Sequence, residues 1–421
     1  MKKVLHIATM DQGGAWNATY RLHKLISKNH VSKILVKNKS VFDNNVLLYR
    51  KSLIEKAMDY LHYQCRKIVG MEETNFDKNY YFHNFSEKLP NYNISKFIFK
   101  SNFHPDVIIL HWVSGFVNAK TIYSLEKKFN CKVLWYCLDM SPLTGGCHYA
   151  WDCSNYQNNC GKCPALKSHK QKDISYFNLK NKYKYLKNSK IDIISSTPWV
   201  TRQLMQSSLF KGKKINEILL AVDSDIFSPL DKHIAKAILK IPSHKKVILT
   251  GSSSVNDKRK GVKYFIDAIK QFYNSLPKNQ QENYFVLISG DYHEIYNQLP
   301  FENKCTGYLK DEISLALTYQ AADVYVCTSI EDTGPMMINE SIQCGVPVVS
   351  FQMGVAIKLV VNNQTGYCAR LSDANDLAIG INKIMSMNDN DKKSMSDNCR
   401  KMGLELLNPQ IQLQKFEEIF S

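Results

Sequence analysis

No stretch of the 421-residue chain reaches the roughly 18 apolar residues that a membrane-spanning helix needs, so none is expected. Acidic charge is also scarce: Asp and Glu total 38 against 55 for Lys and Arg, a formal net charge of +17. That balance argues against a strongly cationic substrate. It favours a polyanionic partner, whether nucleic acid, anionic lipid or a phosphorylated ligand. Low-complexity segments and solenoid-period repeats are absent. No recognised nucleic-acid motif stands out, so nucleic acid has charge alone in its favour and is not an expected partner. The start, Met1-Lys2-Lys3-Val4-Leu5-His6-Ile7-Ala8-Thr9-Met10, has a signal peptide's basic end. Its apolar run is broken by His6 and stopped by Asp11, with no small-residue cleavage site. It reads as a buried first strand, and a cytoplasmic location is expected. Without an export signal the twelve cysteines do not read as a disulfide framework. Cys327 and Cys344, each in an apolar setting, read as small core residues.

What is present is alternation. "KKVLHIATM" reads as a strand, Asp11-Gln12-Gly13-Gly14 as a turn, and "AWNATYRLHKLISKN" as a helix with Trp16, Tyr20, Leu22, Leu25 and Ile26 near one face. "SKILVK", "DVIILHW", "CKVLWYCL" and "IDIISST" supply further strands. Past Pro229 the pattern restarts with "KKVILTGSS", "YFVLISGD", "KCTGYL", "ADVYVCTS" and "VPVVSF". The fold class is α/β: two doubly wound, Rossmann-like domains facing a cleft, with ligands at the carboxyl ends of the strands. The expected domains are residues 1–229 and 230–405. A last helix, 406–421, is expected to pack back on the first domain.

Residues 323–351, "DVYVCTSIEDTGPMMINESIQCGVPVVSF", carry the strongest chemical signal. A strand ends at Thr328-Ser329, the acidic pair Glu331-Asp332 enters the turn Thr333-Gly334-Pro335, and a helix begins that carries Glu340. The free N–H groups of such a turn and the positive helix end suit a diphosphate, and Glu340 suits a ribose hydroxyl pair. An ordinary acidic capping turn fits the stretch equally well. Gly345 is placed to end the helix as a C-terminal cap. The basic loop "GSSSVNDKRKG", residues 251–261, suits a leaving diphosphate, and a solvated loop is the plainer alternative.

Together these segments resemble the nucleotide-sugar motif of family-4 retaining glycosyltransferases, which have the GT-B fold. That motif is an acidic residue, seven residues, then Glu, followed by small-x-x-x-Gly-x-Pro-Val-Val; here Asp332, Glu340 and Ser341 to Val349 match it. The variant Glu331-Asp332-Thr333-Gly334-Pro335 resembles the branch that builds bacterial surface polysaccharides. The similarity extends in order through Gly13-Gly14, "HW" at 111, "STPW" at 196, "FSP" at 227 and "KG" at 260. It implies transfer of a sugar from a nucleotide sugar to a lipid-linked oligosaccharide acceptor, on a polyprenyl diphosphate, with no cofactor required for catalysis. By the resemblance Asp332 contacts the donor sugar, Glu340 the ribose and Lys260 a phosphate, with Gly13, Gly14, Thr333, Gly334 and Gly354 around the donor. "LWYCLDMSPLTGGCHY" resembles the family's "HDMWxxTGGCHY", but Leu138 stands at its His and Ser141 at its Trp, leaving Asp139 as the catalytic candidate of the first half. An Arg common after the strand glycine is replaced by Ser252, with Arg259 and Lys258 nearby, and Val355 stands at a second glycine. These departures motivate an alternative, a catalytically impaired scaffold protein. A GT-B sugar-nucleotide epimerase is another.

Residues 137–164 hold a cluster, Cys147, Cys153, Cys160 and Cys163, of which only the last pair has zinc-knuckle spacing. A structural zinc clip is the first reading, with His148 a competing ligand; reduced structural thiols come next and disulfides last. "KSLIEKAMDYLHYQCRKIVG", residues 51–70, puts Leu53, Ile54, Ala57, Met58, Leu61, Cys65 and Ile68 on one face and reads as core-packed. "LKSHKQKDISYFNLKNKYKYLKNSK" interleaves Lys with Tyr and Phe and suits the anionic inner face of the plasma membrane, a peripheral placement.

Overall fold

The structure, a computed structural model, describes residues 1–68, 76–89, 91–252 and 254–421. The chain divides into two compact units: Met1–Ser196, Val200–Ile218 and Phe416–Ser421 form the first, Thr197–Trp199 and Leu219–Lys415 the second.

In the first unit seven strands run Lys3–Met10 (β1), Val31–Asn38 (β2), Val46–Leu48 (β3), Val107–Leu110 (β4), Lys132–Cys137 (β5), Asp192–Ser195 (β6) and Ile215–Glu217 (β7). All pair in parallel, in the order β3-β2-β1-β4-β5-β6-β7. A parallel sheet covered on both faces needs near-continuous apolar strands, and β4 and β5 are of that kind, buried from Val107 to Leu110 and from Val133 to Cys137. Strand order reverses between β1 and β4, so the turn after β1 and His111-Trp112 after β4 lie at the switch point, where such sheets bind ligands. Phe416 and its neighbours pack within this unit: the ring lies edge-on to Tyr136 at 5.5 Å, and Lys132 Nζ donates to the Ile419 carbonyl at 2.5 Å.

The second unit has Lys246–Gly251 (β8), Tyr284–Ser289 (β9), Glu302–Cys305 (β10), Val324–Cys327 (β11), Val348–Phe351 (β12) and Gly366–Ala369 (β13), again all parallel, in the order β10-β9-β8-β11-β12-β13. Its switch point falls between β8 and β11. Cys327 and Cys344 sit in its core with Val348, Ile338 and Tyr319, as expected of small apolar residues. The helix Met336–Gln343 ends where Gly345 takes φ +72, the left-handed cap.

Three edge strands, β3, β7 and β13, go beyond the sequence expectation; each is only three or four residues long. The strand expected at "KCTGYL" lies earlier, at β10, and Gly307 with φ +73 falls beyond it. A larger correction concerns the helix Leu53–Ile68: the expectation of a core-packed helix fails, since none of its residues is buried. Val69 and Gly70 of that stretch lie outside the described residues, as does Ser253 of the basic loop.

Candidate functional site

In the second unit the chain places a cation beside a carboxylate at the end of β11. The basic loop closes as a short 3-10 turn, Lys258–Lys260, capped by Asp257, whose side chain accepts from the Arg259 N–H. Gly261 follows at φ +61, and a Cβ there would lie 2.0 Å from the Thr328 carbonyl oxygen, so only glycine lets the loop approach β11 this closely. Two bonds then fix the approach: Thr328 Oγ1 donates to the Lys260 carbonyl at 2.9 Å, and the Ile330 N–H to that of Arg259 at 2.8 Å. Lys260 Nζ thereby meets Asp332 Oδ2 at 2.5 Å.

Asp332 is buried, and its other oxygen accepts from the Gly334 N–H at 3.1 Å. Burial alone would raise its pKa, but the Lys260 and Arg259 charges outweigh burial and hold it below the ordinary 3.8. Gly354, at φ +59, presses on the same turn: a Cβ there would come within 2.9 Å of the Asp332 carbonyl oxygen and 3.1 Å of that of Thr333. Thr197 Oγ1 donates to the Thr333 carbonyl at 2.7 Å. Lys260, Asp332, Thr333, Gly334 and Gly354 are thus brought together. Arg259 is buried and ion-paired with Asp257, whereas Lys258 is exposed. Glu340 is buried and accepts from the Tyr319 hydroxyl at 2.8 Å. Burial and the Glu340 charge push that phenol well above its ordinary pKa. Burial raises the Tyr325 phenol as well, and the Cys327, Glu340 and Asp332 side chains add to the rise.

In the first unit, Gly13 begins the helix Gly13–Ile26 at φ +82, and a Cβ on Gly13 or Gly14 would meet nothing within 4 Å. Open space at a helix N-terminus at the switch point is a setting in which an anion binds. Asp11 fixes the turn by accepting from the N–H groups of Ser40 at 2.5 Å and Val41 at 2.7 Å. These bonds outweigh its burial and keep it ionised.

Asp139 is part of a chain of side chains that sequence reasoning missed. Its Oδ2 lies 2.8 Å from His148 Nδ1, and His148 Nε2 lies 3.1 Å from Ser114 Oγ. Trp112 Nε1 also lies 2.9 Å from His148 Nδ1. One ring nitrogen cannot accept from the indole and donate to the carboxylate at once. The buried, ionised Asp139 decides for donation, which leaves Nε2 to accept from the Ser114 hydroxyl in the neutral ring. Burial would raise the Asp139 pKa, but His148 and the Ser141 donors outweigh it, so the group stays below 3.8. The ring of His83 sits 5.1 Å from that of His148, and burial and His148 lower its pKa to about 4. His83 opens onto a cavity of about 330 Å³ lined also by Lys37, Arg66, Phe85, Tyr92 and Gly115. The sequence singles out Asp139 and reads His148 as a metal ligand, but nothing in it joins the two.

His111 is not at this chain. Its Nε2 lies 2.9 Å from His6 Nδ1, and both rings are buried and stacked. Burial lowers the His111 pKa to about 3, and lowers that of His6 well below 6.5.

The cysteine loop is tied by hydrogen bonds from the helix Ile174–Leu186 and its cap. Asp173 accepts from the Cys163 N–H at 2.9 Å, Ser175 Oγ from the Gly161 N–H at 3.0 Å, and Lys182 Nζ donates to the carbonyls of Ser141 at 2.5 Å and Thr144 at 2.9 Å. Cys147 and Cys163 pack with Phe82 and Ala165 in an apolar cluster. None of the cysteines is in a disulfide. Burial raises the thiols of Cys147, Cys153 and Cys163 and pushes Cys160 up to about 12. Among the described residues no group of three or more His, Cys, Asp or Glu is placed to hold a metal ion. Hydrogen bonds and apolar burial hold the loop in place.

Residues 231–402 match the family model described as Glycosyl transferases group 1. No curated protein sequence matches the chain. Among solved structures, sucrose-phosphate synthase from Thermosynechococcus elongatus aligns at TM-score 0.70 and 16% identity, over 100% of this chain and 98% of that one. The Anabaena protein HepE, in complex with UDP-glucose, aligns at TM-score 0.68 and 13% identity, over 100% and 99%. WaaG, a glycosyltransferase involved in lipopolysaccharide biosynthesis, aligns at TM-score 0.64 and 10% identity, over 99% of both. The fold is GT-B, and the group 1 match supports a glycosyltransferase.

Proposed function

We propose that the protein is a retaining glycosyltransferase that moves a sugar from a nucleotide sugar to an oligosaccharide on a polyprenyl diphosphate, in the synthesis of bacterial surface polysaccharide. The observation that carries this reading is the Lys260–Asp332 pair, at the end of β11 and inside the segment that matches group 1 glycosyl transferases. HepE with UDP-glucose and WaaG with its lipopolysaccharide role support the donor and product classes by analogy.

In the proposed reaction the bond between the anomeric carbon and the diphosphate oxygen breaks as the acceptor hydroxyl attacks from the same face. The proton of that hydroxyl passes to the departing phosphate oxygen, so no protein nucleophile and no cofactor is needed. Negative charge grows on the leaving diphosphate, where the Lys260 ammonium is held ready by Asp332 and needs no reorganisation. Thr333, Gly334 and Gly354 offer backbone to the donor sugar, and Gly13 and Gly14 to the phosphates or acceptor. Glu340, anchored by Tyr319, takes the ribose hydroxyls. Asp139 orients His148 beside the first unit's cavity, where the acceptor binds. The protein works at the cytoplasmic face of the plasma membrane; no helix among the described residues is long and apolar enough to cross one.

The test is incubation with UDP- and GDP-sugars and a lipid-linked acceptor. Release of nucleoside diphosphate with a glycosylated lipid product is expected. No donor bound and none consumed overturns the reading.

A further inference from the structure

The helix Leu53–Ile68 is amphipathic with its faces reversed. At about 100° per residue, Leu53, Ile54, Ala57, Leu61, Cys65 and Ile68 fall on one arc. A surface helix ordinarily turns that arc to the core. Here it faces out: Leu53 is 83% exposed, Ile54 74%, Leu61 60% and Ile68 84%. The opposite, polar arc is the one that holds the helix to the protein. Glu55 accepts from the Tyr49 hydroxyl at 2.7 Å and from the Ser52 and Asn93 N–H groups, each at 2.8 Å. Asp59 accepts from Lys51 at 2.6 Å and from the Tyr92 hydroxyl at 2.7 Å. The Arg66 guanidinium lies over the Phe85 ring at 3.4 Å. Polar anchoring inward at the expense of apolar exposure outward is an arrangement that water alone would not favour.

Charge indicates what covers that face. Both acids of the helix are engaged in inward bonds, so the charges left exposed are Lys56 and Lys67, flanked by exposed Tyr60 and Tyr63. Apolar residues bordered by lysine and tyrosine match the boundary between headgroups and acyl chains of an anionic bilayer. A second copy of the chain would instead set these lysines against their like. We infer that the helix Leu53–Ile68 is the element by which this protein lies on an anionic membrane surface, its outward arc sunk into the headgroup boundary. The inference rests on the proposed function for its purpose and deepens it by naming the surface. The inner arc fits that purpose too, since His62 and Arg66 line the cavity assigned to the acceptor. A lipid-carried acceptor would then meet its pocket directly below the docked helix.

The test is partition of the full chain onto vesicles, without donor or acceptor, so that failure here leaves the transfer reaction standing. Vesicles of phosphatidylethanolamine with phosphatidylglycerol are compared with vesicles of phosphatidylcholine. Binding to the first and at least about tenfold weaker binding to the second is expected. Ile54→Gln with Leu61→Gln and Ile68→Gln should cut partition at least about tenfold at every salt concentration. Lys56→Gln with Lys67→Gln should cut it about tenfold at low salt and little at high salt. All five positions are exposed, and unchanged circular dichroism confirms that the variants fold. Equal binding to both vesicles, or unchanged binding by the triple variant, overturns the inference. So does a dimer in solution that the triple variant renders monomeric, which would assign the face to a second copy.

Discussion

Asp332 and Asp139 make an instructive pair. Both are buried carboxylates in the loop after a buried strand, and both are kept ionised against the cost of burial. They differ in what keeps them so. Asp332 faces the Lys260 ammonium and the Arg259 guanidinium, whereas Asp139 faces the imidazole of His148. The same division runs through the two units. The buried histidines His6, His23, His111 and His148 all belong to the first, and among the described residues the second buries none. On the proposed function, the Asp332 site holds a diphosphate beside an ammonium and the Asp139 site orients a hydroxyl through an imidazole.

That contrast can be broken most severely at the fixed pair. Lys260→Ala should lower turnover by about 10²–10³, read as nucleoside diphosphate release, and cost about 3 kcal/mol of stability by leaving Asp332 buried and unpaired. Next in size, His148→Phe should destabilise the first unit by about 3 kcal/mol in urea unfolding, because Asp139 loses its partner. Adding Asp139→Asn should recover part of that loss, and a double-mutant cycle with no coupling would show that the two side chains do not act together.

The buried His6–His111 pair gives the pH test. Both groups have folded pKa values depressed below 6.5, so below that pH the unfolded chain binds more protons than the folded one. Their contribution is fully present above 6.5 and is lost as the pH falls from there toward about 3. Each unit of pH over that window should remove up to about 1.4 kcal/mol per histidine. Hydrogen exchange should show the first unit loosening in acid before the second; simultaneous loosening would count against the contrast. Smallest of all, Tyr319→Phe removes the bond to Glu340 and should cost about 1 kcal/mol in thermal unfolding, with weaker donor binding if that carboxylate needs its anchor.

Much of this is legible in the residues. Long buried strands such as β4 and β5 announce themselves as apolar runs, while β3, β7 and β13 are too short to carry a period. Asp332 is readable because the strand, turn and helix around it are contiguous. The partner of Asp139 is not, because it depends on a loop that folds back, with the Met140 N–H bonded to the His148 carbonyl at 3.1 Å. The helix Leu53–Ile68 defeats the sequence for a different reason. Its periodicity identifies an apolar arc, but periodicity does not say which arc faces in; the bonds of Glu55 and Asp59 to Tyr49 and Tyr92 decide that.

The central claim is that the second unit binds a nucleotide-sugar donor and that Lys260 drives its departure. Donor consumption by the wild-type chain and by Lys260→Ala, measured side by side with a lipid-linked acceptor, tests it most directly. The account predicts turnover by the first and a loss of about 10²-fold or more in the second, with its fold intact. Equal turnover by the two, or a wild-type chain that neither binds nor consumes any nucleotide sugar, would contradict it.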